Sequence, residues 1–404
     1  MKILFIAHRI PYPPDKGDKI RSFFILKHLS QKNDIYLASL IDDINDIQYK
    51  NDLTKYCKDT RFVIINKLWV KFKMVYYLII GKPMSLAYFG SCQLKREIDA
   101  WVSLIEFDMI YIYSSSVGQY VINVKNNYKI MDFVDLDSEK WFLNSQYANF
   151  ATSLIYKHEG YRMRKYESFI ARKCKYNFFA AKRDESAFKL QCPEVNTLVI
   201  PNGVNLEYFT KKIKRCSPPN LNTSSRNIIF TGAMDYFANI DAAVYFYNKI
   251  FPIVKSKVSD CSFFIVGSNP SIKIMDLAKD KSVIVTGRVV DIRPYMDKAS
   301  VYVAPLRISR GLQNKVLEAM AMGMPVVTTK CVLNGINAEP GKNIFIEDSP
   351  LEFADRVVEL LRNTYLRDKI GDAAREFVQI NYNWGNSFNK LDNLIKDIND
   401  KTSC

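Results

Sequence analysis

The stretch Ser309–Val327, SRGLQNKVLEAMAMGMPVV, decides how this chain is read. Val316, Leu317, Met320 and Ala321 recur at helical spacing. Gly323 and Pro325 stop that helix, and Val326-Val327 opens an apolar strand. Upstream, VYVAPLRI predicts a strand ending in Arg307, which leaves Ser309, Arg310 and Gly311 in the turn between strand and helix. A strand, a glycine turn and a helix aim backbone N–H groups and the positive end of the helix dipole at an anion. Lys315 and Glu318 stand on one helix face near its start. A cation nearer the loop suits a phosphate, and a carboxylate one turn deeper suits the vicinal hydroxyls of a ribose. By spacing alone the pair fits equally a surface Lys–Glu pair on an ordinary helix. The rest of the chain has to separate the two readings.

At 404 residues the chain fits two domains of ordinary size. A hydrophobic content of 48% with 25% charged residues describes a globular chain with a full core. The formal net charge of +15 is the outlier. Nucleic acid, an anionic membrane surface or phosphorylated substrates would each explain it. No RNP-like, zinc-finger or helix-turn-helix signature accompanies the charge, so nucleic acid ranks last. An anionic membrane surface carrying lipid-phosphate substrates ranks first, and part of the excess is simply a lysine-rich composition. The eight cysteines are scattered, with no C-x-x-C, so neither a disulfide framework nor a zinc site is expected and reduced cytosolic thiols are. The N-terminal apolar run is too short for a signal peptide and reads as a first strand. The longest remaining apolar stretch, Leu68–Ile80, is interrupted by Lys71 and Lys73 and falls short of the roughly 20 residues a membrane span needs. It reads either as a core helix or as a helix lying in the membrane interface with its lysines at the headgroups.

Short apolar strands alternate with helical stretches along both halves: KILFIA, DIYLASL, RFVIIN, DMIYIYS and KIMDFVD in the first, NIIFTG, CSFFIVG, SVIVTG and ASVYVAP in the second. Such alternation predicts parallel sheets flanked by helices. Between the halves, Lys211–Asn227 is polar, aperiodic and Pro-containing, a linker by composition. The expected division is therefore 1–210, a linker at 211–227, a second domain over 228–382 and a terminal helix over 383–404. Ligands of open parallel sheets bind beyond the carboxyl ends of the strands, where Gly232, Gly267, Gly287 and Arg307 fall.

PYPPDKGDKIRS (Pro11–Ser22), DFVDLDSEKW (Asp132–Trp141), PNGVN (Pro201–Asn205), FTGAMDYFANIDA (Phe230–Ala242) and the opening stretch together carry a family resemblance. The chain resembles the retaining GT-B glycosyltransferases of the family 4 type, and among them the bacterial sugar transferases of polysaccharide and exosortase-associated gene clusters. The resemblance spans nearly the whole chain. It implies an α/β fold of two Rossmann-like domains facing a cleft, with the C-terminal helix crossing back to the first. It implies a nucleoside diphosphate sugar in the second domain, a glycan acceptor, lipid-linked in such clusters, in the first, and no metal or other cofactor. It places the protein in the cytoplasm, peripheral at the inner face of the membrane. Glu318 matches the glutamate that holds the ribose hydroxyls. Lys315 and the backbone of Gly311 match groups facing the diphosphate, and Leu312, Arg307 and Arg288 join the donor-binding set. Gly17 matches a glycine whose backbone approaches the distal phosphate, and Gly232 falls in a turn close to the donor. The family usually carries a second glutamate where this chain has Arg310, a departure from the family pattern beside the transferred sugar.

Sugar transfer needs a stabilised diphosphate leaving group and an oxocarbenium-like transition state, which fixed cations can supply. Arg307, Arg310 and Lys315 cluster in sequence where they would be needed. Of three histidines, His8 ends the first strand and is the candidate acceptor or phosphate contact, against a local turn hydrogen bond beside Pro11; His28 and His158 read as structural. Asp135 stands where the family places a residue near the reaction centre. Asp135-Leu136-Asp137 also spells D-x-D, the metal motif of the other glycosyltransferase fold, which two α/β halves argue against. Asp137 or Ser138 is expected to cap the following helix. Asn239 reads as an N-cap and Asn202 as hinge structure. The rival functions are a nucleotide-sugar epimerase, a phosphorylase, or a non-catalytic glycan- or nucleotide-binding member of the fold, the last favoured by Arg310.

Overall fold

The computed structural model describes residues 1–402 apart from 127, 211–225, 310 and 334, with side chains given as far as 398. The chain divides into two compact units. One comprises Met1–Pro201 with Phe388–Cys404, the other Asn202–Ser387.

The first unit is built on seven parallel strands: β1 (Lys2–Ala7), β2 (Asp34–Ile41), β3 (Asp59–Ile64), β4 (Met109–Tyr113), β5 (Lys129–Val134), β6 (Tyr176–Phe179) and β7 (Thr197–Val199). Their order is β3-β2-β1-β4-β5-β6-β7. The predicted alternation therefore gives the predicted parallel sheet. Ile3–Ala7 and Met109–Tyr113 are buried along their length, because helices cover both faces of a parallel sheet and leave no side for polar residues. The helix Gly17–Leu29 is pinned to the sheet by charge. The Arg21 guanidinium, fully buried, donates through Nε to both Asp132 oxygens (3.1 and 2.9 Å) and through Nη1 to the Ile200 carbonyl at 2.6 Å. Tyr111 donates to the same carboxylate at 2.6 Å. Pairing with several donors is what makes a buried carboxylate tolerable.

The long helix Phe150–Ala171 sends two buried carboxylates to the starts of other helices. Glu159 accepts from the N–H groups of Met84 and Ser85 at 2.8 and 2.9 Å. Glu167 accepts from the Ser138 N–H at 3.0 Å and its hydroxyl at 2.5 Å. The expected local cap at Asp137 or Ser138 is thus replaced. The N-cap residue of helix Asp137–Tyr147 is Leu136, which caps nothing through its side chain, and Glu167 does the work from a distance. Asp137 instead accepts from the Ser115 hydroxyl at 3.0 Å.

The second unit carries six parallel strands: β8 (Asn227–Thr231), β9 (Ser262–Val266), β10 (Val283–Val285), β11 (Val301–Ala304), β12 (Val326–Thr328) and β13 (Phe345–Ile346), in the order β10-β9-β8-β11-β12-β13. In each sheet the strand order reverses beside the first strand, between β1 and β4 and between β8 and β11. Such switch points open a crevice at the carboxyl ends of the strands.

The division falls at Pro201/Asn202 rather than at residue 210. Val204 bridges to Asn383 and donates to the Tyr382 carbonyl at 2.8 Å, while Gly203 lies so close to Trp384 that a Cβ would sit 2.5 Å from its ring. These contacts tie Asn202–Asn205 to the second unit. The linker predicted at 211–227 lies, over 211–225, outside the described residues. The helix Trp384–Thr402 belongs to the first unit from Phe388 onward. There Asp392 lies 2.6 Å from His28 Nε2, and Phe388 stacks on the His28 ring at 4.0 Å. His28 is structural, as its helical position suggested.

Candidate functional site

At the switch point of the second sheet, β8 runs into Gly232 at φ 153°, a conformation side chains disfavour. A Cβ there would also meet the Asn239 carboxamide nitrogen at 2.7 Å. Asn239 lies inside the helix Phe237–Tyr245 and donates to the Ala233 carbonyl at 2.8 Å. The N-cap expected of it is therefore not its role. Its other end accepts a hydrogen bond from the Lys315 ammonium, which also stands over the Phe230 ring, 4.8 Å from the centroid. The loop after β8 and the helix Asn314–Ala321 are joined at this point.

Gly311, at φ 66°, makes the turn before that helix, and its carbonyl packs so tightly on Gly335 that a Cβ on Gly335 would come within 2.4 Å. Leu312 follows and accepts from the Asn314 N–H at 3.1 Å. Val316, Leu317, Met320 and Ala321 are buried, as the helical spacing predicted, and this face is why Lys315 and Glu318 project to the loop side. Both are only half-buried at their surfaces, yet burial dominates their titration. It pulls the Lys315 ammonium down to about 7, opposed by the Glu318 carboxylate, and pushes Glu318 up to about 7, opposed by Lys315. Burial disfavours the charged form of both groups, which a bound anion would restore on Lys315 and donating sugar hydroxyls on Glu318. An ordinary exposed Lys–Glu pair would not be shifted in this way.

The strand predicted to end in Arg307 ends at Ala304. Pro305 has no N–H to continue the ladder. The free carbonyls are taken by side chains instead, Ala304 by the Thr328 hydroxyl at 2.7 Å and Leu306 by Thr329. Arg307 turns back to Asp241, with Nε 3.0 Å from Oδ2, and lies over the Tyr245 ring. It is thus held by the helix that carries Asn239. Arg288 follows Gly287, at φ 68° after β10, and is exposed. Arg310 lies outside the described residues. Nearby in sequence, Asp291 holds Arg293 through both carboxylate oxygens, and the Arg293 guanidinium lies 3.5 Å over the Tyr208 ring. Asn202 donates to the Asn314 side chain at 3.3 Å, within the second unit.

In the first unit, the switch point gathers His8, Asp18 and Tyr113. His8 follows β1, is buried, and lies between the Tyr113 and Phe89 rings at 5.8 and 5.1 Å. Its Nε2 is 3.5 Å from Asp18 Oδ2, whereas Nδ1 is buried without a hydrogen-bond partner. The local turn hydrogen bond beside Pro11 is not what holds it. Burial alone would raise the Asp18 carboxyl, but the His8 hydrogen bond and the Arg9 charge keep it well below the usual carboxylate range. Arg9 in turn spans Asp18 and Asp42 at 2.7 and 2.6 Å. Gly17 begins the helix that presents Asp18.

Asp135 follows Val134, a β-branched residue at φ 64°, where the register of β5 with β6 shifts. Backbone held in this region costs on the order of 1–3 kcal/mol and clusters at functional sites. Asp135 and Asp137 both face Lys140, at 3.5 and 3.3 Å. Among the described residues no group of three or more His, Cys, Asp or Glu is arranged to hold a metal ion.

Residues 225–363, which contain Gly232, Asn239, Lys315 and Glu318, match the family described as glycosyl transferases group 1. Along its whole length the chain is similar to sucrose-phosphate synthase from Thermosynechococcus elongatus, with a TM-score of 0.72, 15% identity, and 98% of this chain and 99% of that one covered. It is also similar to HepE of Anabaena, solved in complex with UDP-glucose, with a TM-score of 0.65, 14% identity, and coverage of 98% and 100%. The two Rossmann-like units make this a GT-B fold. Among curated sequences it is 23% identical over 174 residues to an uncharacterized 44.6 kDa protein from the cps region of Klebsiella pneumoniae. That match covers 41% of this chain and 45% of the relative, so the chain is aligned to under half of that protein's length.

Proposed function

We propose that the protein is a glycosyltransferase that moves a sugar, with retention, from a nucleoside diphosphate sugar to a glycan acceptor. The observation that carries this is the Lys315–Glu318 pair, poised near neutrality behind the Gly311 turn, within the stretch matched by group 1 glycosyltransferases. In this reading Glu318 accepts from the ribose hydroxyls, and the Lys315 ammonium balances charge as it builds on the departing diphosphate. Gly311 and Leu312 offer backbone, Gly232 lies beside Asn239, and Arg288 adds positive charge, while Arg307 acts through the Asp241 helix that holds it and Arg310 joins the set by its place in the sequence alone. Lys315 also acts in the chemical step, since a cation is worth more to a developing phosphate charge than to the bound sugar nucleotide.

The first unit holds the acceptor. His8, kept in one orientation by Asp18 and two rings, and Asp135, lifted out of the strand by the strained Val134, are the groups placed to contact the acceptor hydroxyl. The leaving phosphate then takes the acceptor proton, so no strong protein base is required. No metal ion or other cofactor is part of this scheme. HepE was solved with UDP-glucose, which supports a nucleotide-sugar donor, and the Klebsiella relative comes from a cps region; in this reading the acceptor is lipid-linked and the product a surface polysaccharide. The net charge of +15 supports a cytoplasmic protein peripheral at the inner face of the membrane. Arg310, where the family carries a glutamate, favours a second reading, a member of the fold that binds nucleotide or glycan without turnover.

A screen of nucleoside diphosphate sugars separates the two. Release of nucleoside diphosphate from one donor, rising with a glycan acceptor and unaffected by EDTA, is expected of the transferase. Tight donor binding with no release in the presence of any acceptor establishes the second reading, and loss on chelation restored by Mn²⁺ establishes metal dependence.

A further inference from the structure

The helix Lys67–Ile79 is inside out for a globular protein. Leu68, Phe72, Val75 and Ile79 recur at intervals of four, three and four residues, a single helical face. That face is turned to solvent: Leu68 and Phe72 are each 72% exposed and Ile79 77%. Trp69 and Tyr76 widen it on one side and are more than half exposed. Only Val70 on the opposite face is buried. The expectation of a core helix for this stretch does not survive such exposure. Lys67 and Lys71, four apart, are exposed along one edge of the stripe. On the other side Lys73 is half-buried and reaches the Gly90 carbonyl at 3.3 Å, which fixes the roll of the helix.

The patch continues onto a second element. Phe150, Leu154 and Tyr161, on the helix Phe150–Ala171, are 82%, 53% and 58% exposed. Arg162 of that helix donates to the carbonyls of Leu78 and Lys82 at 3.0 and 3.3 Å, so the middle of this helix, beside Tyr161, abuts the end of the apolar helix. Lys82, Lys157 and Lys165 are exposed around this junction.

We infer that this face, centred on Trp69, Phe72, Val75, Tyr76 and Ile79, seats the protein on an anionic bilayer. An apolar stripe with aromatic residues, bordered by lysines, is the composition of a helix lying in the headgroup region with its apolar side in the acyl boundary. At 13 residues the helix lies on the bilayer; among the described residues no helix is long and apolar enough to cross one. Charge chooses the occupant. Two copies packed through this face would join surfaces that each carry the exposed Lys67 and Lys71, in a chain already at +15, whereas acidic lipid pairs with them. The inference deepens the membrane part of the proposed function and rests on it, while its test is read separately from sugar transfer.

Full-length protein is sedimented with vesicles of phosphatidylglycerol in phosphatidylcholine, and of phosphatidylcholine alone. The wild type is expected to bind the acidic vesicles at low salt and to be partly released as salt rises, because screening removes attraction to the lysines and leaves the apolar insertion. Replacing exposed residues only, F72E with I79E is expected to weaken binding about tenfold or more, with melting temperature and circular dichroism unchanged, since each acidic side chain must leave the acyl boundary. K67E with K71E is expected to abolish the preference for acidic vesicles. If the wild type fails to bind acidic vesicles, the membrane reading falls and this surface with it. If it binds and F72E with I79E binds equally well, another surface makes the contact. If F72E with I79E splits a wild-type dimer while vesicle binding is unaffected, the face is a contact between copies of the chain.

Discussion

The Asn239 carboxamide accepts a hydrogen bond from the Lys315 ammonium and donates one to the Ala233 carbonyl, so one side chain fixes both the loop after β8 and the cation on the facing helix. The carboxamide is neutral, and it orients Lys315 without discharging it. Asn239→Asp replaces that neutral acceptor with a negative one. The new carboxylate would favour the ammonium form of Lys315 and compete with phosphate for it. The empty protein is expected to melt higher, and nucleoside diphosphate affinity to fall about tenfold, the equivalent of one unit of pKa coupling. Calorimetry reads the second; unchanged affinity would mean that Lys315 does not face the phosphates.

Glu318 has a separable role. Glu318→Ala removes the acceptor proposed for two ribose hydroxyls and is expected to weaken nucleoside diphosphate binding by about tenfold to a hundredfold, the range for hydrogen bonds to a charged group. The fold is expected to hold, because the buried face of this helix is Val316, Leu317, Met320 and Ala321. A 2′,3′-dideoxy analogue is then expected to bind wild type and variant alike. A variant that discriminates between ribose and dideoxyribose as the wild type does would place the sugar elsewhere.

The same two groups couple donor binding to protons. Burial lowers the Lys315 ammonium to about 7 and raises the Glu318 carboxyl to about 7, each shift opposed by the other group. A bound diphosphate favours the ammonium and moves Lys315 back up, so above about pH 7 binding takes up a proton. Ribose hydroxyls donating to Glu318 favour its carboxylate and move it down, so below about pH 7 binding releases one. Calorimetry in buffers of different ionisation enthalpy is expected to show uptake at alkaline pH turning to release at acid pH. Lys315→Met is expected to abolish the uptake and keep the release; equal heats in all buffers would contradict the poised pair.

These properties mark how far the sequence reaches. Strand identity and parallel pairing were legible because strands buried on both faces read as unbroken apolar runs, as in β1 and β4. Lys315 and Glu318 were legible from spacing on one predicted helix. Asn239 was not, because its partner lies 76 residues away and nothing local distinguishes it from an N-cap. Asp18 was missed for the same reason: its hold on His8 and Arg9 exists only where the end of β1 meets the next helix. The strain at Val134 left no trace at all, since valine is an ordinary strand residue. The domain break falls earlier than composition suggests because composition marks the polar stretch after Thr210, whereas contacts of Val204 and Gly203 commit Asn202–Asn205 to the second unit. The exposure of Phe72 and Ile79 was equally hidden, as periodicity gives a face but not which way it points.

Glu167 offers a test of the acceptor-side architecture that does not involve substrate. Burial, reinforced by the nearby Asp137 charge, raises its carboxyl to about 8 in the folded protein, against the ordinary carboxylate value near 4.5 when unfolded. Because the folded state holds this proton more tightly, the contribution to stability is complete below about pH 4.5 and is lost as pH rises through about 8. Glu167→Gln keeps an oxygen to accept from the Ser138 N–H, offers an amide N–H to the Ser138 hydroxyl oxygen in place of the second acceptor, and cannot ionise. The difference in unfolding free energy between wild type and variant is therefore expected to shift, by on the order of a few kcal/mol, against the wild type between acid and mildly alkaline pH. Chemical denaturation of both proteins across that range measures it. A difference that stays flat with pH would show that Glu167 is ionised in the folded state and that Ser138 alone, or water, meets its charge.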